Sequence, residues 1–226
     1  EGDTLMTMDE VAMDVLGAAW QPNIVALSGP SFAREIMQEQ PTAVVLACID
    51  ENLALNISRA VFCDYFRAYC STDVIGVEMG GALKNVMAIA AGALAGMGMG
   101  DNARAAMITR GVAEISRLAV AKGGNPLTLL GLAGVGDLVL TCTGGLSRNR
   151  AVGQALGEGK SVDVAVSGVR QVAEGVRTAA AAYRLAQKLG VDAPITSAVY
   201  RVLYEELPMR DAVLELVRRA PGRELE

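Results

Sequence analysis

The chain has 226 residues, enough for one large domain or two small ones, and its 20 basic and 25 acidic residues give a net charge of −5. That balance argues against a nucleic-acid or anionic-membrane surface, which needs clustered Lys and Arg, but leaves room for a local basic pocket. Histidine is absent, which removes the commonest general base, the Ser-His triad and most zinc sites.

Acid–base chemistry therefore falls to Lys, Asp, Glu, Tyr or Cys. Hydrophobic residues make up 52% of the chain but aromatic residues 4%, so the core is expected to be close-packed and rich in small side chains. Mean hydropathy is positive, at +0.33. The longest apolar run, residues 86–100, is nevertheless shorter than the ~20 residues of a membrane span. We expect a buried helix there and no stable membrane insertion. No basic segment leads into an apolar one at the start of the chain, so no signal peptide is expected. Cys48, Cys63, Cys70 and Cys142 lack C-x-x-C spacing, which predicts reduced thiols and a cytoplasmic setting.

In chain order, residues 1–18 predict an amphipathic helix ending near Gly17. Residues 24–27 predict a short buried strand running into Ser28-Gly29-Pro30-Ser31, a turn with helix-capping chemistry. A helix over 31–38, a strand over 42–48, a helix over 53–62 and a strand over 66–70 follow. Strands alternating with helices predict a parallel α/β sheet. From Asp73 onward the pattern turns helical, beginning with a greasy helix over 74–92 that only Glu78, Lys84 and Asn85 interrupt. Asp101 is expected to cap a helix over 102–121, and Asn125-Pro126 to start a short one. Residues 131–137 form a glycine-rich bend, and a helix opens at 147–150. A loop over 157–168, with a turn of helix in it, precedes three amphipathic helices over 172–189, 194–206 and 208–219. The change of period near residue 72 predicts two units, 1–72 and 73–226.

Lys84 stands mid-helix among Ala, Leu, Val, Met and Gly. A lysine in apolar surroundings either runs its stem across them to water or is put to use. Burial disfavours a lysine's ammonium form, which suits a general base near neutral pH. Helix pattern alone leaves both readings open. Four further segments carry candidate chemistry. Ser28-Gly29-Pro30-Ser31-Phe32-Ala33 lies at a strand end entering a helix, where free N–H groups favour anions. In Gly134-Val135-Gly136-Asp137 the glycines permit close approach, and Asp137 can pair with a lysine or accept from a hydroxyl. Ser147-Arg148-Asn149-Arg150 offers a helix start with two guanidiniums, a set suited to phosphate. Val172-Ala173-Glu174-Gly175 reads as an acidic helix start. For each, an ordinary turn, cap or solvated helix start is the alternative. Gly98-Met99-Gly100-Asp101-Asn102-Ala103 fits the dinucleotide pattern G-x-G-x-x-A, but it joins two helices and follows no strand.

Taken together, Leu27-Ser28-Gly29-Pro30-Ser31-Phe32-Ala33, Gly80-Gly81-Ala82-Leu83-Lys84-Asn85, Gly100-Asp101-Asn102-Ala103-Arg104-Ala105, Gly134-Val135-Gly136-Asp137-Leu138, Thr141-Cys142-Thr143, Leu146-Ser147-Arg148-Asn149, Glu174-Gly175-Val176-Arg177-Thr178 and Pro194-Ile195-Thr196 are similar to segments of one family. In order and spacing the chain resembles the bacterial NAD(P)-dependent sn-glycerol-3-phosphate dehydrogenases over essentially its whole length. The resemblance implies an α/β remnant of a Rossmann-like parallel sheet over 1–72. An all-α C-terminal domain like that of 6-phosphogluconate dehydrogenase would follow over 73–226. It implies a catalytic Lys84, which exchanges a proton with the C2 oxygen of a small phosphorylated three-carbon substrate. Gly29, Ser31, Lys84, Asp137, Ser147, Arg148 and Asn149 would contact that substrate. Ala33, Arg148, Val172 and Glu174 would line NAD or NADP, and a homodimer is compatible with the resemblance.

Family members begin with a strand, a G-x-G-x-x-G loop and a helix, and this chain starts past them. The expectation is that these 226 residues alone bind NAD(P)H poorly and turn over little substrate, and that an exposed sheet edge promotes association. Two other functions stay open at this point. One is a related reductase of a different hydroxy substrate, and the other is a non-catalytic helical domain serving oligomerisation.

Overall fold

A computed structural model of the chain describes residues 1–169 and 173–220. Helix α1 (Met8–Leu16) starts where the Thr7 N–H donates to the Glu10 carboxylate at 2.7 Å, and it stops at Gly17. A tight turn (Ala18–Asn23) leads into a three-stranded sheet. Its strands are β1 (Ala26–Ser28), β2 (Thr42–Ala47) and β3 (Phe66–Ser71), in the spatial order β1-β2-β3.

Strands β2 and β3 are parallel, joined through helix α3 (Glu51–Val61), whose amino end is capped by the Asp50 carboxylate. Strand β1 departs from the expected parallel arrangement. It runs antiparallel to β2, pairing Ala26 with Ala47 and Ser28 with Val45. A parallel return needs a crossover element of a dozen or more residues. The link from β1 to β2 contains a single helical turn, α2 (Ala33–Ile36), which is shorter than the predicted helix. Beyond it, Glu39 adopts φ +58°, which reverses the chain. Strand β1 is not the buried strand expected either: it lies at the sheet edge and its Leu27 is 54% exposed.

Everything after Thr72 is helical or turn among the described residues. The long helix α4 (Val74–Gly96) is capped by Asp73, whose carboxylate accepts the Gly76 N–H at 2.9 Å. Around it pack α5 (Asp101–Ala121), α6 (Asp137–Thr143), α7 (Arg148–Gly157), α9 (Glu174–Leu189) and α10 (Pro194–Tyr204). The short α8 (Val162–Ser167) rests on α7, and α11 (Met209–Val217) rests on α10. Helix α4 is longer than the apolar run that predicted it, and by length and composition it would reach across a membrane. Of its most apolar window 61% is buried inside the protein, however, with Val86, Met87, Ala88 and Ile89 at 1% exposure or less. Its apolar face is thus satisfied by neighbouring helices.

One start differs from expectation. Asp101 is the first residue of α5 rather than its cap, which is Gly100, and its carboxylate pairs with Arg104 at 2.5 Å. The turn of helix expected within 157–168 is present as α8, where Ser161 accepts the Val164 N–H.

The small-residue core lets α4 and α7 touch almost backbone to backbone. A Cβ added at Gly153 would stand 1.9 Å from the Ile89 carbonyl oxygen, so no side chain fits there. Gly153→Ala must push the two helices apart, and overpacking of this kind costs about 1–3 kcal/mol. Urea unfolding should show that loss as a lower midpoint. Gly145→Ala, which meets nothing within 4 Å, should leave the midpoint unchanged.

Candidate active site

Lys84 reaches its partner because α4 is bare of side chains one turn earlier. A Cβ at Gly80, on the same face, would lie 2.4 Å from the Ala133 carbonyl oxygen. The wide turn Leu132–Gly136 therefore lies directly on α4, and Asp137 opens α6 beside Lys84. The Lys84 ammonium donates to Asp137 Oδ2 in an ion pair. The Asp137 side chain is 2% exposed, whereas that of Lys84 retains 21%. Thr141, one turn along α6, donates its hydroxyl to Asp137 Oδ1 at 3.2 Å, and the Gly29 backbone N–H adds a further bond. Burial pushes the Asp137 carboxyl above its usual range; Lys84 opposes this, with help from Thr141 and Gly29. The result is a cation fixed by a dry carboxylate, with a free side toward a cavity.

That cavity is a cleft of about 930 Å³ between α1, β1, α4 and α9. Gly29, Ser31, Lys84, Asp137 and Glu174, all singled out from the sequence, line it together. Ser31 donates its hydroxyl to the Gly29 carbonyl at 2.9 Å, which shapes the turn at the strand end. The other predicted residues lie elsewhere. Ala33 is exposed on α2 and does not line the cleft. Ser147 is 6% exposed and caps α7, its hydroxyl oxygen accepting the Arg150 N–H at 3.2 Å. Arg148 donates to the Glu174 carboxylate at the cleft edge, at 3.0 Å. Asn149, 4% exposed, donates to Asn85 Oδ1 at 3.0 Å and accepts the Gly175 N–H at 2.9 Å. Val172 lies outside the described residues.

Asn149 is thereby a clamp joining α4, α7 and α9 next to Lys84. Asn85 and Thr141 lie within the family-like motifs, where nothing in the sequence gives either a role. Asn85 adjoins Lys84, and Thr141 follows Asp137 by four residues, a helical spacing that could have flagged it. Glu78 was noticed only as a polar interruption. Its carboxylate oxygens lie 3.2 Å from the Asp9 N–H, so it caps α1 from another helix.

The Lys84–Asp137 pair thus lies in one cleft with Gly29 and Ser31, the turn that follows β1. Comparison with known proteins makes this specific. The model of the NAD-dependent glycerol-3-phosphate dehydrogenase C-terminus matches residues 73–214, and that of the N-terminus matches residues 1–54. The chain belongs to this family. It is 57% identical over 224 residues to glycerol-3-phosphate dehydrogenase [NAD(P)+] of Geobacter metallireducens, covering 99% of this chain and 67% of that protein. The corresponding Anaeromyxobacter dehalogenans enzyme is 56% identical, with 100% of this chain and 68% of that protein covered. Among solved structures, glycerol-3-phosphate dehydrogenase from Coxiella burnetii superimposes with a TM-score of 0.90 at 41% identity. That match covers 96% of this chain and 66% of the other. The chain thus spans about two thirds of the length of these relatives.

The Glu78–Asp9 contact also faces the cleft. Burial, reinforced by the Asp9 side chain, pulls the Glu78 carboxyl up to about 7, while the Asp9 N–H opposes the rise. The folded chain therefore holds a proton that the unfolded chain releases near 4.5. Glu78's contribution to stability is full below about 4.5 and is lost as pH rises through about 7. Glu78→Gln should flatten that pH dependence. Urea midpoints at pH 5 and pH 8 should converge in the variant relative to the parent.

Proposed function

We propose that this chain carries the substrate-binding and proton-transfer machinery of a glycerol-3-phosphate dehydrogenase. The enzyme would interconvert dihydroxyacetone phosphate and sn-glycerol 3-phosphate, the backbone of glycerophospholipids. The observation that carries this reading is the Lys84–Asp137 pair, held by Thr141 and Gly29 on the wall of the cleft.

In the reducing direction the substrate ketone accepts a hydride at C2 while its oxygen takes a proton. The Lys84 ammonium is the group that delivers this proton, and in oxidation the Lys84 amine takes the proton of the C2 hydroxyl. Asp137 fixes Nζ so that one N–H is directed at the carboxylate and the others remain for the substrate oxygen. Its burial keeps competing water away from the pair, which strengthens the attraction. A nicotinamide dinucleotide supplies the hydride when bound. The residues here suited to its edge are Glu174, which lines the cleft, and Arg148, which is paired to it; an anion-matching guanidinium and a carboxylate fit a dinucleotide's polar groups.

The same reading takes residues 1–72 as the closing part of a nucleotide-binding domain and 73–226 as the substrate domain. It also takes the protein to be cytoplasmic and a homodimer, with no partner nucleic acid. Free thiols at Cys48, Cys63, Cys70 and Cys142 support a reducing compartment. The non-catalytic alternative would leave Lys84 directed at open solvent, and its pairing with a buried aspartate speaks against that.

The test joins this chain behind the preceding third of the Geobacter metallireducens relative. Lys84→Ala should lower turnover of dihydroxyacetone phosphate by about 10²–10⁴-fold, with substrate binding retained. Asp137→Asn should lower it less. Undiminished turnover by Lys84→Ala would sink the proposal.

A further inference from the structure

The turn after β1 faces two ways. Gly29 and Ser31 line the cleft, while Pro30 and Phe32 do not. Pro30 and Phe32 lie instead beside glycines of the helical part. A Cβ added at Gly136, next to Asp137, would stand 3.9 Å from Pro30 Cδ. One added at Gly144, the residue that closes α6, would stand 2.7 Å from Phe32 Cε2 and 3.0 Å from its Cζ. The edge of the Phe32 ring therefore occupies the place of the side chain that Gly144 lacks. A flat ring on bare backbone gives many close contacts for one side chain.

This seat lies between two parts of the site. On one side, Phe32 ends the turn whose Gly29 N–H bonds to Asp137, the partner of Lys84. Its own backbone is fixed by α2, the Phe32 carbonyl accepting the Glu35 N–H at 2.9 Å and the Ile36 N–H at 3.2 Å. On the other side, the Gly144 carbonyl accepts the Ser147 N–H at 3.3 Å, and Ser147 caps α7.

We infer that Phe32 is a positioning residue: its ring, seated on Gly144, keeps the Gly29 N–H on Asp137 and steadies the Gly144–Ser147 turn from which α7 starts. Its bearing on catalysis rests on the dehydrogenase reading, in which Lys84 serves the reacting oxygen and the residues opening α7 contact the substrate. Phe32 then holds the two ends of the ligand's site at one spacing without lining the cleft itself.

Amide hydrogen exchange of the 226-residue chain tests this in Phe32→Ala and Phe32→Leu. In Phe32→Ala the Gly29 N–H should exchange about 10-fold faster or more, as for loss of a bond to a carboxylate, and the Ser147 N–H should follow. The Met87 N–H, in the buried part of α4, should keep its protection. Phe32→Leu retains apolar bulk and should recover part of the loss at Gly29. Unchanged exchange at Gly29 overturns the inference, and so does an equal loss at Met87, which reports general loosening. If Phe32→Ala does not fold, Phe32→Leu decides by the same readings. Joined behind the preceding third of the Geobacter metallireducens relative, Phe32→Ala should lower kcat/KM for dihydroxyacetone phosphate about 10- to 100-fold. Unchanged kcat/KM in a variant whose Gly29 has lost protection overturns the positioning role and leaves the dehydrogenase reading standing. A joined parent without turnover sinks that reading, and exchange at Gly29 still decides whether Phe32 holds the turn in place.

Discussion

The site depends on how closely α7 approaches α4. With no side chain at Gly153, the two helices come within backbone contact of each other. Asn149 lies one turn before Gly153 and is thereby brought to Asn85, the residue after Lys84. The same amide accepts the Gly175 N–H and so fixes the amino end of α9, where Glu174 stands at the cleft. One close contact between helices therefore sets the relative positions of α4, α7 and α9, of which α4 and α9 wall the site. Close packing of this kind transmits displacement instead of absorbing it. A shift of α7 would move the proton-transfer group and the cleft edge together.

The polar groups near the cleft form a connected set. Asp137 is almost fully dry, and a buried carboxylate without partners is strongly unfavourable. Lys84, Thr141 and Gly29 supply the missing donors. Breaking such a pair by removing one partner commonly costs about 3–5 kcal/mol, while an apolar replacement of both is often tolerated. The pair is weak evidence for stability and better evidence for use. Glu78 differs, because it meets another carboxylate and backbone N–H groups instead of a cation. Two acidic groups held together keep a proton near neutrality, where an ordinary surface glutamate has long released its own.

Much of this was legible in the sequence. The helical run with a lysine at its centre, the glycine bend before Asp137 and the absence of histidine together directed attention to Lys84 and Asp137. The helix starts at Asn125, Ser147 and Pro194 were visible as caps and prolines. The antiparallel turn of β1 was not, because a strand's direction depends on the connection after it, and that connection looked like a longer helix. The duty of Ser147 and Asn149 stays open in the sequence for a related reason. Their residue types suit a ligand, but the same hydroxyl and amide also satisfy buried backbone and side-chain groups, and spacing does not tell the two apart.

Glu114 carries a consequence for how the molecule assembles. Its carboxylate, 1% exposed on α5, accepts the Ile195 and Thr196 N–H groups at 2.8 Å and the Thr196 hydroxyl at 2.5 Å. Burial raises this carboxyl, and the three donors hold it down. These donors enter the chain 81 and 82 residues later. Burial of Glu114 on α5 therefore goes together with the docking of α10. The end of the chain thus completes the middle: a helix from the last third supplies the donors that let a carboxylate of α5 be buried.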